Sequence, residues 1–138
     1  MIRYQVHATG AALPLPEVLD LYRASTLAER RPIDDSARMQ TMLQQANLVV
    51  SAHDDELLVG ISRALSDFSY ATYLSCLAVR DSHQRRGIGK QLIRLTQQAS
   101  LPATLILLAA PKAADYYPHI GMEAHPSCWL LRPEDRIP

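Results

Sequence analysis

Cysteine is nearly missing from this chain, and the little there is cannot build much. Cys76 and Cys128 are the only two. They form no CxxC pair, so a disulfide framework and a cysteine-built zinc site are excluded, and each reads as a buried thiol of a reducing compartment. Glycine is also scarce, with five in 138 residues. No charge sign is in excess: 14 Lys and Arg face 14 Asp and Glu. A neutral chain has no global field to draw in nucleic acid or an anionic membrane. Long hydrophobic runs are missing too. The longest, Leu105 to Pro111, is far too short to cross a bilayer. The amino terminus, Met1 to Val6, lacks the apolar segment of a signal peptide. A cytoplasmic protein is expected.

Hydrophobic residues make up 48% of the chain and charged residues 20%, enough to bury a core in one domain spanning residues 1–138. Ile2 to His7 alternate as a half-buried strand does. From Pro16 a helix is expected, with Val18, Leu19, Leu21 and Tyr22 on one side. Asp34, Asp35 and Ser36 are good caps for a second helix carrying Met39, Met42, Leu43 and Ala46. Leu48–Ala52 and Leu57–Leu65, joined by a turn at His53–Glu56, give a hairpin signal. A further strand is expected over Tyr70–Val79 and a helix over Ile88 to about Ser100. Beyond it lie a short strand at Thr104–Ala109, a helical stretch from Lys112 to about His119 broken by Pro118, and a last strand at Cys128–Leu131. The order predicts a mixed α/β domain with no repeat and no linker.

The most informative segment runs from Leu77-Ala78-Val79 through Gln84-Arg85-Arg86-Gly87-Ile88-Gly89-Lys90. A strand ends at Val79 and a helix begins near Gly87. The first N–H groups of a helix have no partner within it. With the positive end of the helix dipole they suit a phosphate. Gly87 and Gly89 carry no side chain to hold an anion away, and Arg85, Arg86 and Lys90 add local positive charge. Taken alone, the pattern also fits a surface loop with two turn glycines. No GxGxxG and no Gly-Lys-Ser/Thr is present, so Rossmann and Walker readings fit worse.

Gln84-Arg85-Arg86-Gly87-Ile88-Gly89 resembles the acetyl-CoA-binding motif of GNAT acetyltransferases. Leu77-Ala78-Val79 is similar to that family's splayed strand, and Ile88–Ala99 to its central helix. The resemblance extends in element order over nearly the whole chain. It implies the GNAT fold: a mixed, mostly antiparallel sheet with splayed strands, flanked by about four helices. It also implies a coenzyme site made by Leu77, Ala78, Val79, Gln84, Arg85, Arg86, Gly87, Ile88, Gly89 and Lys90. Acetyl-CoA would be the co-substrate, its diphosphate on the loop amides and its pantetheine arm paired with the strand edge near Leu77 and Val79. Tyr116-Tyr117-Pro118-His119-Ile120-Gly121-Met122 resembles the family's tyrosine-x-x-x-glycine segment, with Met122 in place of the usual aromatic.

The chemistry suits a tyrosine at position 117. An amine attacks the thioester carbonyl, an oxyanion forms, and the thiolate leaves. A thiol titrates at about 8.5 and a phenol at about 10, so a phenol can protonate the departing sulfur. Tyr117 is therefore the candidate acid; the alternative is a packed aromatic with a satisfied hydroxyl. The resemblance also suggests an oxyanion donor among the N–H groups near Val79. No carboxylate base stands on the preceding strand, which offers Tyr73, Ser75 and Cys76. Water chains, Glu56, Asp67, His119 and His125 stay open for that role. His53 and His83 lie by turns and read as solvated, and no histidine pair has metal-ligand spacing, so no metal is expected. Cys76 lacks a histidine partner and reads as packing.

The leading expectation is an N-acetyltransferase acting on a primary amine, small or on a peptide or protein, by direct attack in a ternary complex. A non-catalytic acyl-CoA-sensing module is the alternative. Nucleic-acid binding through Arg80, Arg85, Arg86 and Lys90 lacks an extended basic face. Exposed strand edges allow a homodimer.

Overall fold

The computed structural model describes all of residues 1–138, which fall into two compact units, 1–108 and 109–138. In the first unit β1 (Ile2–His7), β2 (Leu48–Asp54), β3 (Leu57–Ser66), β4 (Ala71–Val79) and β5 (Thr104–Ile106) form one sheet in that spatial order. The first four pair antiparallel, and β4 pairs with β5 in parallel. Helices α1 (Leu15–Arg23) and α2 (Ser36–Gln45) pack on one face, and α3 (Ile88–Ser100) packs on the other.

Each helix follows from its sequence. In α1, Pro16 sits in the first turn, where a missing N–H costs nothing. Val18, Leu21 and Tyr22 then fall on one buried face. The Asp35 carboxylate accepts the Arg38 N–H at 3.0 Å and caps α2, a contact worth about 1 kcal/mol. β2 and β3 are buried almost continuously rather than alternately, because both sheet faces are covered. Tyr22, Leu21, Met39 and Leu43 pack with Ile61, Cys76 and Ala78 on one side, and Ile88 and Leu92 with Val50, Ala52 and Val59 on the other.

Two details of the sheet position the site. First, Arg63 pairs with Cys76 but Ala64 pairs with Leu74, so Ser75 is an extra residue in β4. This bulge re-aims the strand. Second, β5 is shorter than Thr104–Ala109. Its pairing stops at Tyr73 and Ile106, just before the bulge, and the rest of β4 faces an open edge.

In the second unit, a 3-10 turn over Pro111–Ala113 precedes the one-turn α4 (Tyr116–His119). Pro118 does not break α4. It lies within the first turn, where its N–H would be unpaired anyway. The expected strand at Cys128–Leu131 does not form. No strand pairs with it, and Cys128, Leu130 and Leu131 are exposed along with Trp129, at 89%. Cys128 is thus not the buried thiol expected, and Tyr116, 39% exposed, is not a core residue.

Gly60 on β3 lets α3 lie close. A Cβ there would come within 3.0 Å of Leu92 Cδ1 and 3.1 Å of Ile88 Cγ2. Gly60→Val is expected to cost about 1–3 kcal/mol by overpacking and to lower the thermal midpoint by several degrees. An unchanged melting curve would show that the helix has room to spare.

Candidate active site

The loop between β4 and α3 is shaped by its backbone. Arg85 and Gly87 both take left-handed conformations, at φ 63° and 79°. Arg85 bears that strain as an ordinary residue; Gly87 does so without cost. Gly87 occupies the cap position of α3 and supplies no side-chain cap. The first bond of the helix is Gln91 N–H to the Gly87 carbonyl, at 3.1 Å. The N–H groups of Arg85, Arg86, Gly87, Ile88, Gly89 and Lys90 therefore have no acceptor within the protein. Six consecutive donors at the positive end of a helix of 13 residues present what an anion site requires.

The loop is braced from both sides. Gln84 Nε2 donates to the Val79 carbonyl at 3.1 Å and to Asp81 Oδ1 at 3.0 Å. His83, expected at the surface, is only 9% exposed. Its Nε2 meets Asp54 Oδ2 at 2.9 Å and its Nδ1 meets Ser82 Oγ at 2.7 Å. The His83 hydrogen bond holds the Asp54 carboxyl below its usual range. Arg80 is spent elsewhere: it pairs with Asp20 at 2.9 Å and donates to the Leu58 carbonyl.

The edge of β4 carries the second half of the site. Arg80 N–H donates to the Val59 carbonyl at 2.8 Å, toward β3. Backbone groups alternate sides along a strand, so Ala78 also turns toward β3 while Leu77 and Val79 turn outward. Leu77 thus offers both its N–H and its C=O at the open edge. Val79 offers its N–H, its carbonyl being held by Gln84. An extended ligand can pair with these groups as an added strand does.

Residues 22–127, which contain this loop and strand edge, match the family model Acetyltransferase (GNAT) domain. The chain belongs to the GNAT acetyltransferase family. Solved structures share its fold. A protein of unknown function from meticillin-resistant Staphylococcus aureus is 17% identical with a TM-score of 0.76, covering 96% of this chain and 98% of its own. The aminoglycoside N-acetyltransferase AAC(6')-Iy, in complex with CoA, is 18% identical with a TM-score of 0.70, covering 97% of each chain. An aminoglycoside acetyltransferase from an uncultured soil metagenomic sample, in complex with sisomicin, is 23% identical with a TM-score of 0.68, covering 95% and 94%. As a GNAT protein the chain is an acyltransferase, and no helix in it is long and apolar enough to cross a membrane.

Tyr117 opens the second unit's helix with Tyr116, ring edge to face at 5.4 Å. The Met122 N–H reaches back to the Tyr117 carbonyl and the Gly121 N–H to Pro118, both at 3.1 Å. This is a Schellman motif, and Gly121, at φ 92°, fills its left-handed position. The spacing from Tyr117 to Gly121 is that of one helical turn and its stop signal.

Two of the base candidates already hold hydrogen bonds within the protein. The Asp67 carboxylate accepts the N–H groups of Ser69, Tyr70 and Ala71, which hold it below its usual range. His125 Nδ1 accepts the Ser127 N–H. Glu56 lines a cavity of about 240 Å³ with Glu17, Asp20 and Arg80. One cluster was not foreseen. Arg31 and Arg63 both donate from Nε to Cys76 Sγ, at 3.1 and 3.3 Å. Burial alone pushes this thiol up, but the guanidiniums of Arg63 and Arg31 outweigh it and bring it below the usual thiol value. The available signal was Arg63 itself, a lone charge inside an apolar strand.

Asp54→Asn should loosen the loop and weaken coenzyme A binding about two- to tenfold, the worth of one hydrogen bond. The carboxylate's depressed pKa gives the sign with pH: its contribution is present above the ordinary aspartate range and lost as pH falls through the folded value. Calorimetry at neutral pH returning equal affinities would remove His83 and Asp54 from the loop's support.

Proposed function

We propose that this chain carries the acetyl group of acetyl-CoA to a primary amine by direct attack in a ternary complex. The run of unpaired N–H groups from Arg85 to Lys90 is the observation that carries the reading. On it those amides hold the coenzyme's diphosphate, Arg85, Arg86 and Lys90 add charge around it, and Gln84 braces the loop from behind. The pantetheine arm pairs with Leu77 and Val79, past Ala78, and brings the thioester toward the bulge at Ser75. An outward N–H on β4 takes the oxyanion as it forms. Tyr117 gives its proton to the departing sulfur, leaving free coenzyme A; the amine's proton passes to solvent, from which Tyr117 regains its own. The family match runs across both compact units, which supports one acetyltransferase domain over residues 1–138. Acceptors of structural neighbours include aminoglycosides, which supports a small-molecule amine here.

Two substitutions test the reading. Gly89→Leu places a side chain over the diphosphate and should weaken acetyl-CoA binding at least about a hundredfold, roughly 3 kcal/mol; calorimetry showing unchanged affinity would take the loop out of the site. Tyr117→Phe should lower kcat by about 10²-fold, a typical share for a proton donor, with coenzyme affinity kept. Equal turnover in thiol-release assays would demote Tyr117 to packing.

A further inference from the structure

On the α1 and α2 side of the sheet, two guanidiniums converge without a single carboxylate. Arg31 follows α1, and Arg63 lies in β3 directly opposite Cys76. Arg63 is 6% exposed; it gives Nη1 to the Met42 carbonyl at 3.1 Å and Nη2 to Ser75 Oγ at 2.9 Å. Arg31 is half-buried and gives Nη1 to the Arg30 carbonyl and Nη2 to the Ser75 carbonyl. The two ion pairs of the structure involve neither arginine. Beside them the Tyr22 hydroxyl is wholly buried, with the Cys76 sulfur, Arg63 and Arg31 as the groups that act on it.

A buried guanidinium beside a half-buried one of like charge favours an anion close by. A single thiol sulfur shared by both offers at most one negative charge. A guanidinium has five N–H donors. Arg31 has spent three, leaving one on each terminal nitrogen, enough for a carboxylate to accept both. Its Nη2 already holds the carbonyl of Ser75, the bulged residue two positions from the outward Leu77. Further along the same face, Leu65 and Tyr73 stand opposite each other, 42% and 38% exposed.

We propose that Arg31, backed by Arg63, receives a carboxylate of the acceptor, so that the acetylated amine belongs to a molecule that also bears a carboxylate and an apolar body. This rests on the acetyl-transfer reading for its place in catalysis, but the binding itself does not. The same two charges disfavour a polycationic amine at this position.

The test uses the intact protein loaded with coenzyme A and two acetylated probes, N-acetyl-leucine and N-acetyl-leucinamide, which differ in the carboxylate alone. By calorimetry the acid should bind about tenfold tighter or more. Arg31→Gln should erase that preference while leaving coenzyme A affinity unchanged, and Arg31→Lys should restore part of it. Equal binding of the two probes, binding of neither, or a preference that survives Arg31→Gln overturns the proposal. The acetyl-transfer reading fails on a different result, loss of coenzyme A binding by the wild-type protein.

Discussion

The start of α3 is the constraint on which the rest of the site depends. A serine, threonine or aspartate side chain is the favoured cap for a helix's first turn, a contact worth about 1 kcal/mol. This one begins at Gly87, in a left-handed conformation, with no side chain to offer. The stability forgone there leaves the donors of Arg85 to Lys90 facing outward. Such an end is useful only if it is held still. Ile88 and Leu92 press it onto Gly60, whose missing Cβ permits the approach, while His83 ties the loop to the end of β2 through Asp54. Core packing and the exposure of the helix's first amides thus depend on the same few residues.

The sheet contributes by failing to close. β4 and β5 pair over three positions only, and the bulge at Ser75 follows at once. Had β5 run alongside all of β4, Leu77 would have given its N–H and C=O to a neighbouring strand. The open edge leaves that place to an extended ligand in the proposed reaction. It also explains why a charged residue is tolerated inside β3. Arg63 reaches the bulge, where Ser75 Oγ and the Met42 carbonyl accept its hydrogen bonds, so its burial is offset in part without a carboxylate.

Much of this was legible in the residues. The hairpin of β2 and β3, the Asp35 cap and the Gly87 helix start all carry local chemistry that names their conformation. The loop from Gln84 to Lys90 could be read as an anion site because helix ends leave their amides unpaired whatever the tertiary context. What stayed hidden depends on distant partners. Nothing near His83 in sequence announces Asp54, 29 positions away. Arg31 and Cys76 meet across 45 positions, so Cys76 read as plain packing. Cys128 to Leu131 reads as a strand because its composition is apolar, yet a strand exists only where another pairs with it.

The most direct test observes the amides themselves. In ¹H–¹⁵N spectra, coenzyme A should shift the resonances of Arg85 to Lys90 strongly, whereas pantetheine, which lacks the diphosphate, should leave them in place while moving Leu77 and Val79. Saturable coenzyme A binding with the Arg85 to Lys90 resonances unmoved would contradict the account.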